Sequence, residues 1–194
     1  MNKNRNQSDF EPIHCNFFGL ASSARRWFLI LSFLIAMPFA GLTQERVDLT
    51  PTEFKLAFLA KIPAYITWPN SEGQVVVGIM GKDPFDGLLS QLLKQKKIEG
   101  REIVVKIFED PALVTRCDVL FIPADQLVAW EELSKSIDKR GILTIGEKRE
   151  FLNKGGVFSL SVDDRKLEIN LQNARKAGLE INSKLVKIAK VIVK

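Results

Sequence analysis

The stretch of residues 155–171, GGVFSLSVDDRKLEINL, decides the fold of this chain. On either side of Asp163-Asp164, apolar residues alternate with polar ones, which is typical of two half-buried strands. The apolar members of this alternation are Phe158, Leu160, Val162, Leu167 and Ile169. A turn at the aspartate pair makes the two strands antiparallel neighbours, with one apolar face available to cover other elements. The sequence therefore predicts a C-terminal antiparallel hairpin.

Apolar runs and amphipathic segments alternate upstream of the hairpin. Short runs rich in β-branched and other apolar residues predict four strands, at residues 74–80, 103–108, 119–122 and 142–145. Helical spacing of apolar residues predicts three helices, at residues 50–63, 85–97 and 125–137. This order of elements predicts a mostly parallel sheet with helices on its faces.

Two of the predicted helices carry specific signals. At residues 50–53, TPTE, Thr50 can act as the N-cap, proline suits the first helical position, and Glu53 can reach back to the cap. Pro63 is expected to kink or end this helix. The second helix is predicted to bury one apolar stripe, formed by Phe85, Leu88, Leu89, Leu92 and Leu93.

The chain is predicted to end in a final amphipathic helix, which follows a short helical turn at residues 173–177. Asn182 or Ser183 can cap this last helix. Its expected apolar side consists of Leu185, Ile188, Ala189 and Ile192. The lysines opposite indicate either a solvated face or a surface for an acidic partner or phosphate ligand. Together these elements predict a single three-layer α/β domain with a mostly parallel sheet, which the hairpin extends or closes.

Composition excludes several classes of protein. Of the 194 residues, 46% are hydrophobic and 26% are charged, as in ordinary globular domains. The formal charge of +5 is small, and no RNA- or DNA-binding motif accompanies it, so nucleic acid is not an expected partner. One histidine, His14, and two cysteines, Cys15 and Cys117, are too few for the usual zinc or haem sites. A magnesium or calcium site formed by Asp and Glu remains an open alternative, but the sequence contains no Asp-rich loop with suitable spacing. We therefore expect no metal and no cofactor.

The N-terminal segment has the order of a secretory signal. Arg25-Arg26 precede the apolar run WFLILSFLIA at residues 27–36, and small residues follow it. We expect residues 1–43 to be a signal peptide and residues 44–194 to form the exported domain. The apolar run is shorter than the ~20 residues of a membrane-spanning helix, and Pro38 interrupts its end. An uncleaved membrane anchor is therefore the less favoured alternative.

Removal of the signal peptide leaves Cys117 as the only cysteine. The exported domain then has no intramolecular disulfide. Cys117 comes just before the predicted strand at residues 119–122, which favours a small buried side chain at the start of that strand. A reactive or intermolecular thiol is the alternative interpretation.

No set of residues in the sequence predicts catalysis. Residues 81–84, GKDP, and residues 146–148, GEK, each follow a predicted strand but lack the glycine pattern of a phosphate-binding loop. We interpret the first as a tight turn in which Asp83 caps a helix. Asp163-Asp164 is interpreted as a turn, and Glu168 as a member of a cross-strand ion pair. Because no nucleophile is paired with a histidine base, the sequence indicates a binding protein and not an enzyme.

Five residues are candidates for binding. Tyr65 and Trp68 are aromatic residues with polar groups near a chain turn. They either cap the end of the hydrophobic core or, if exposed, anchor a partner protein. A second hypothesis is a small-ligand receptor, in which Lys61, Arg165 or Arg175 holds an anion.

The chain also resembles a known family, through motifs spread over most of the expected exported domain. They are AFL at 57–59, YITWP at 65–69, GIMGKDPF at 78–85, CDVLFI at 117–122, ILTIG at 142–146 and GGVF at 155–158. The most specific block closes the chain, with EINL at 168–171, Ala174, AGL at 177–179 and SKL at 183–185. In this order, the motifs resemble those of the periplasmic YfiR/HmsC-like family.

The resemblance implies a secreted, periplasmic α/β regulator that has no catalytic activity of its own. The partner that it implies is an inner-membrane diguanylate cyclase. The regulator would act on the periplasmic part of the cyclase and restrain it, which would lower cyclic di-GMP and biofilm output. A homodimer is also implied. The disulfides known in the family do not carry over, because Cys117 is the only cysteine left after residue 43. A periplasmic receptor that binds an anion or nucleotide and feeds a membrane sensor kinase is the alternative.

Overall fold

The computed structural model describes residues 49–69, 72–114, 117–161, 163 and 165–193. All of them lie in the unit that spans Asp48–Lys194. The predicted signal peptide, residues 1–43, falls outside the described residues. Among the helices in this part of the chain, none is long and apolar enough to cross a membrane.

Ten strands and six α-helices form the described domain. The strands are β1 Ile66–Thr67, β2 Val75–Met80, β3 Lys97–Ile98, β4 Arg101–Phe108, β5 Val119–Ile122, β6 Leu143–Gly146, β7 Phe158–Ser161, β8 Lys166–Asn170, β9 Glu180–Ile181 and β10 Lys190–Val193. The helices are α1 Pro51–Lys61, α2 Leu88–Leu93, α3 Leu127–Ser136, α4 Glu150–Asn153, α5 Leu171–Lys176 and α6 Ser183–Ile188. Short 3-10 helices occupy Ile62–Tyr65, Pro111–Leu113 and Ala124–Gln126.

Eight of these strands form one mostly parallel sheet, in the order β10-β8-β7-β6-β5-β2-β4-β3. The pairs β2–β4, β2–β5, β5–β6, β6–β7 and β8–β10 are parallel. The pairs β7–β8 and β3–β4 are antiparallel. Strands β1 and β9 form a separate antiparallel pair. The predicted α/β fold with a mostly parallel sheet is confirmed.

Both faces of the sheet carry a hydrophobic core. In β5, Val119 and Phe121 belong to one buried cluster, whereas Leu120 and Ile122 belong to another. Because successive strand residues point to opposite faces, the two clusters lie on opposite sides of the sheet. Helices α1, α2, α5 and α6 contribute to the first cluster, and α3 and α4 contribute to the second. The predicted three-layer arrangement follows from this division.

The hairpin that opened the sequence analysis is present as β7 and β8. Its register pairs Leu160 with Leu167 and Ser159 with Glu168. The expectation that the hairpin is only half-buried is wrong, because Ser159, Glu168 and Asn170 are buried as well as the apolar residues. Helix α4 contacts β7, and β10 pairs with the outer side of β8. The hairpin is therefore an interior part of the sheet, although its polar alternation is typical of an exposed face.

The first helix begins as its sequence predicts. The hydroxyl of Thr50 accepts from the backbone N–H of Glu53, and the Glu53 carboxylate accepts from the backbone N–H of Thr50. These reciprocal hydrogen bonds form a capping box, which satisfies two backbone donors at the start of the helix. The bond from the Thr50 backbone N–H, and then one that the Thr50 hydroxyl donates to the same carboxylate, lower the pKa of Glu53 below its ordinary value. The α-helix ends at Lys61, and Pro63 lies in the 3-10 helix that follows.

The second helix is shorter than predicted. It begins at Leu88, and its first residues do not include Phe85, which lies in the preceding turn. Phe85, Leu89 and Leu93 are buried, whereas Leu88 and Leu92 are exposed. The predicted five-residue apolar stripe is therefore wrong at two positions, because only one side of a six-residue helix reaches the core.

The predicted last helix is also wrong in its length. Helix α6 is capped by Asn182, as expected, but it ends at Ile188. Ile188 is 71% exposed, and the chain then forms β10 in parallel pairing with β8. The physical reason is the free edge of β8: its backbone groups need partners, and residues 191–193, VIV, have a high strand propensity. The final element is therefore an edge strand.

Candidate functional site

The carboxyl ends of β2 and β5 mark the place where open α/β sheets usually bind ligands. From β2, the chain continues to β4 on one side and then to β5 on the other. The crevice between two such strands is the usual ligand site in sheets of this type. The predicted turn at residues 81–84 lies at the end of β2, and residues Ala124–Gln126 follow β5.

This crevice is filled by the protein's own side chains. The Asp83 carboxylate accepts from the backbone N–H groups of Phe85 (2.9 Å) and Gly87 (2.8 Å). Gly81 has φ +77°, and a Cβ there would lie 2.7 Å from the side chain of Gln126. The amides that a phosphate would need are therefore occupied by Asp83. The interpretation of residues 81–84 as a tight turn is confirmed, because Asp83 fixes the turn through these two hydrogen bonds. The expectation that Asp83 caps a helix is wrong, since α2 begins after Gly87 and no side chain caps it.

An ion pair joins three elements at the carboxyl edge. Glu147 follows β6, and its Oε1 lies 2.8 Å from the Nζ of Lys55 on α1. Its Oε2 accepts from the backbone N–H of Ala124 at 3.0 Å, which fixes the segment after β5. The side chains of Lys55 and Glu147 are 14% and 13% exposed. Glu147 thus has a structural role, holding α1 against the ends of two strands.

A cavity of about 450 Å³ lies beside this ion pair, and we call it the carboxyl-edge pocket. Its charged lining residues are Lys55, Glu147, Lys148, Arg149, Glu150 and Asp163. The second phosphate candidate, residues 146–148, therefore does border a cavity. Among the described residues of the lining, cations and carboxylates are equal in number, so these residues offer an anion no excess of positive charge.

Replacing Glu147 with glutamine is expected to lower the free energy of unfolding by about 1–3 kcal/mol. The change removes the charge opposite Lys55, while an amide oxygen can still accept from Ala124. Urea denaturation measures the loss. Glu150→Gln is the matched control, because Glu150 borders the same pocket but is exposed. A loss for Glu147→Gln no larger than for Glu150→Gln would show that the ion pair does not hold these elements together.

A second cavity, of about 360 Å³, lies near the start of β6, and we call it the basic pocket. Its charged lining residues are Asp138, Lys139, Arg140 and Lys176. The segment after α3, the start of β6, the segment before β7 and helix α5 all contribute to its walls. This pocket differs from the first because cations outnumber carboxylates among its described lining residues.

The structure does not bring the three predicted anion-binding residues together in either pocket. Lys61 is exposed at the end of α1, and Arg175 is exposed on α5. Arg165 is exposed in the hairpin turn, where it has φ +48°. None of the three borders the carboxyl-edge pocket or the basic pocket. The cations of the basic pocket were missed because they come from the segment after α3 and from α5, which only the fold brings together.

The two aromatic candidates have different environments. Trp68 is 4% exposed, and its indole N–H donates to the backbone oxygen of Asp118 at 3.3 Å. The side chain of Arg101 lies over its ring, 5.8 Å from the centroid. Tyr65 is 40% exposed, so of the two residues it is the one at the surface. Of the two interpretations that the sequence left open, Trp68 therefore fits the first: it caps the end of the hydrophobic core.

A buried charged cluster lies at the amino end of the sheet, and no sequence signal points to it. The Asp118 carboxylate accepts from the backbone N–H of Val76 at 2.7 Å and lies 3.7 Å from Nη1 of Arg101. Next to it, Cys117 is buried, as predicted from its place before a strand. Burial, and then the charge of Asp118, raise the pKa of the Cys117 thiol to about 12.

Glu168 pairs with a neighbouring strand, as predicted. Lys190 is its partner in the β8–β10 register, and the Lys190 Nζ lies 3.7 Å from Glu168 Oε1. Arg149 approaches the other oxygen at 3.8 Å. Within the described ranges, no group of three or more His, Cys, Asp and Glu residues could hold a metal ion. Glu168 therefore belongs to a buried ionic contact between strands.

Comparison with known protein families assigns the chain to one of them. The sequence profile described as YfiR/HmsC-like matches residues 52–190. This span begins inside α1 and ends at the first residue of β10, so it covers nearly all of the described fold. The family consists of signalling regulators without catalytic activity. By its elements and by this match, the protein is a member of the YfiR/HmsC-like family.

Proposed function

We propose that this protein is a non-enzymatic periplasmic regulator that binds the periplasmic part of an inner-membrane diguanylate cyclase and restrains cyclic di-GMP signalling. The observation that carries the proposal is the family match over residues 52–190. The secretory pattern of residues 1–43 supports export, because it precedes the domain that the family shares. A homodimer is a further expectation, and sedimentation of the purified protein measures it.

The best surface for this partner surrounds Tyr65. The backbone N–H of Asn182 donates to the backbone oxygen of Tyr65 at 2.9 Å, and α6 contacts the 3-10 helix that ends at Tyr65. Exposed Ile188 lies at the end of α6. Aromatic and large apolar side chains supply most of the binding energy in protein interfaces. We call Tyr65 and Ile188, with the neighbouring exposed Lys184 and Lys187, the docking surface.

The charge of the docking surface favours an acidic partner surface. Lys184 and Lys187 are both exposed on α6, and Lys61 is exposed just before the 3-10 helix. Attraction between complementary charges raises the association rate, and salt screens this attraction. The binding of the cyclase's periplasmic part should therefore weaken as ionic strength rises.

Replacing Tyr65 with alanine is expected to weaken binding of the cyclase's periplasmic part about tenfold or more, because the ring is the main apolar anchor of the docking surface. Titration calorimetry with the purified partner domain measures the affinity. Val128→Ala is the matched control, since Val128 is an exposed apolar residue on α3, outside the docking surface. Equal affinities for wild type and Tyr65→Ala would remove Tyr65 from the interface.

A cellular experiment tests the function itself. A deletion strain should contain more cyclic di-GMP than the parent, and a plasmid copy of the wild-type gene should restore the lower level. A copy with Tyr65→Ala should restore it incompletely, provided that the variant reaches the periplasm in equal amount. Unchanged cyclic di-GMP in the deletion strain, together with no envelope protein captured by the wild type, would refute the proposal.

A second candidate function is a periplasmic small-ligand receptor that feeds a membrane sensor kinase. The observation that favours it is the basic pocket, which has an excess of cations over carboxylates. Anion binding at this pocket does not require Lys61, Arg165 or Arg175. The two functions separate experimentally, because a receptor binds its ligand without the partner protein.

A further inference from the structure

We propose that the basic pocket binds a small organic anion, in which a carboxylate or phosphate monoester is carried on a compact apolar body. This deepens the second candidate function, on which it rests, because it names the chemical class of the ligand. It does not depend on the identity of the membrane partner. The argument rests on the charge of the pocket, the position of one lysine and the apolar floor.

The pocket has positive charge that its own carboxylate does not neutralise. Asp138 is the carboxylate of the lining, and its oxygens accept from Nε and Nη2 of Arg140 at 3.0 Å and 2.7 Å. These hydrogen bonds lower the pKa of Asp138 to about 2, so the pair stays ionised at any physiological pH. In the described part of the chain, no carboxylate forms an ion pair with Lys139 or Lys176. Both lysines are therefore available to an anion.

Lys139 is held in place inside the pocket. Its Nζ donates to the backbone oxygen of Ser134 at 2.9 Å and lies 5.9 Å from the centroid of the Trp130 ring. An ammonium group has three donors, so two remain after the bond to Ser134. Gly155 has φ +88°, and a Cβ there would lie 3.1 Å from the Lys139 Nζ. The glycine thus leaves room for the ammonium group beside the backbone.

The remaining walls of the basic pocket indicate the chemistry of the ligand outside its anionic group. Ile137, Ile142 and Val157 line the pocket with apolar surface. Thr144 adds a hydroxyl whose oxygen accepts from the Val157 N–H at 3.1 Å, which leaves its own proton available to donate. A cavity of about 360 Å³ is within the range of small-molecule sites. An anionic group on a compact apolar body matches this combination of cations and aliphatic side chains.

The test uses ligands that share one ring and differ in charge: phenyl phosphate, benzoate, benzyl alcohol and benzylamine. Each is titrated into the purified protein, and the melting temperature and the calorimetric heat are recorded. We expect the two anions to bind with Kd of about 0.1–1 mM. At a tenfold excess over Kd, the melting temperature should rise by about 3–6 °C. The alcohol and the amine should produce no such rise.

Variants locate the binding. The double substitution Lys139→Gln/Lys176→Gln keeps polar side chains but removes the two available charges, and it should weaken binding of both anions about tenfold or more. Lys135→Gln is the matched control, because Lys135 lies on α3 but is exposed and paired with Glu132 at 2.8 Å. Circular dichroism and the melting temperature without ligand establish that each variant is folded. If the double variant does not fold, Lys176→Gln alone replaces it, since Lys176 is exposed on α5.

The outcomes separate the possibilities. Binding of one anion only, lost in the lysine variant, supports the site and identifies the anionic group that it prefers. Three results would overturn the proposal: no response to either anion at about 10 mM, an equal response to benzylamine, or unchanged affinity in the lysine variant. Because the protein is tested without its partner, an absence of anion binding would not count against partner binding. An absence of partner binding would likewise not count against anion binding at the basic pocket.

Discussion

Replacing Asp118 with alanine is expected to lower the free energy of unfolding by about 3–5 kcal/mol. This is the largest stability effect that we predict for one substitution. Asp118 lies between two groups that have few other partners. Its carboxylate accepts from the backbone N–H of Val76, and it is 3.7 Å from the guanidinium group of Arg101.

The loss is large because Arg101 is buried. Its side chain is 8% exposed, and its three guanidinium nitrogens form no hydrogen bond within the described residues. Glu99 approaches at 3.9 Å, but its side chain is much more exposed than that of Asp118. Removing Asp118 therefore leaves a buried cation with weaker compensation and the Val76 amide without its acceptor. Urea denaturation followed by circular dichroism measures the change.

A double-mutant cycle distinguishes the charge from the hydrogen bond. In an Arg101→Met background, Asp118→Ala should cost only about 1–2 kcal/mol, since only the Val76 amide loses a partner. Asp118→Asn should fall between wild type and Asp118→Ala, because the amide oxygen can still accept. If Asp118→Ala costs the same with Arg101 and with Met at that position, the two side chains are not coupled.

The thiol of Cys117 is expected to react with iodoacetamide at least about a thousandfold more slowly in the folded protein than in urea. Burial is the main cause of its raised pKa of about 12, and the neighbouring Asp118 carboxylate adds to it. At pH 8, a thiol with this pKa is ionised to about one part in ten thousand, whereas a thiol that ionises near pH 9 is ionised to roughly a tenth. A Cys15→Ser background makes Cys117 the only thiol in the assay. Rapid alkylation of the folded protein would contradict the buried, protonated state.

The same pKa shift predicts a pH dependence of stability. The unfolded thiol ionises near pH 9, but the folded thiol does so only near pH 12. Below pH 9 both states carry the proton, so the contribution is constant. As the pH rises from about 9 to 12, the unfolded state releases its proton first, and the free energy of unfolding decreases by up to about 1.4 kcal/mol per pH unit. Cys117→Ala should remove this part of the slope, and an unchanged slope would count against it.

Much of the fold was predictable, because local patterns and tertiary contacts agree. The capping box at Thr50, the strand at Val75–Met80 and the hairpin Phe158–Ser161 with Lys166–Asn170 are each specified by neighbouring residues. Where the pattern and the contacts conflict, the prediction failed. The alternation of the hairpin indicates a polar exposed face, but Ser159 and Glu168 are covered by α4 and β10.

The candidate sites were less predictable than the fold. Tyr65 and Trp68 are three residues apart, yet one is exposed and the other is in the core. The indole N–H of Trp68 donates to the backbone oxygen of Asp118, which lies fifty residues along the chain, just before β5. Lys139 and Lys176 line the same pocket but belong to separate elements. No local spacing relates such residues, so the sequence gives no signal for them.

The sequence by itself determined the α/β class, the position of most strands, the start of α1 and the expected burial of Cys117. These features depend on side-chain periodicity, capping groups and apolar runs, which act over a few residues. Only the tertiary structure decided that the end of the chain is β10, that Trp68 is buried and that the cations meet in the basic pocket. Each of these depends on which elements become neighbours, and a free strand edge or a buried charge finds its partner only when the chain has folded.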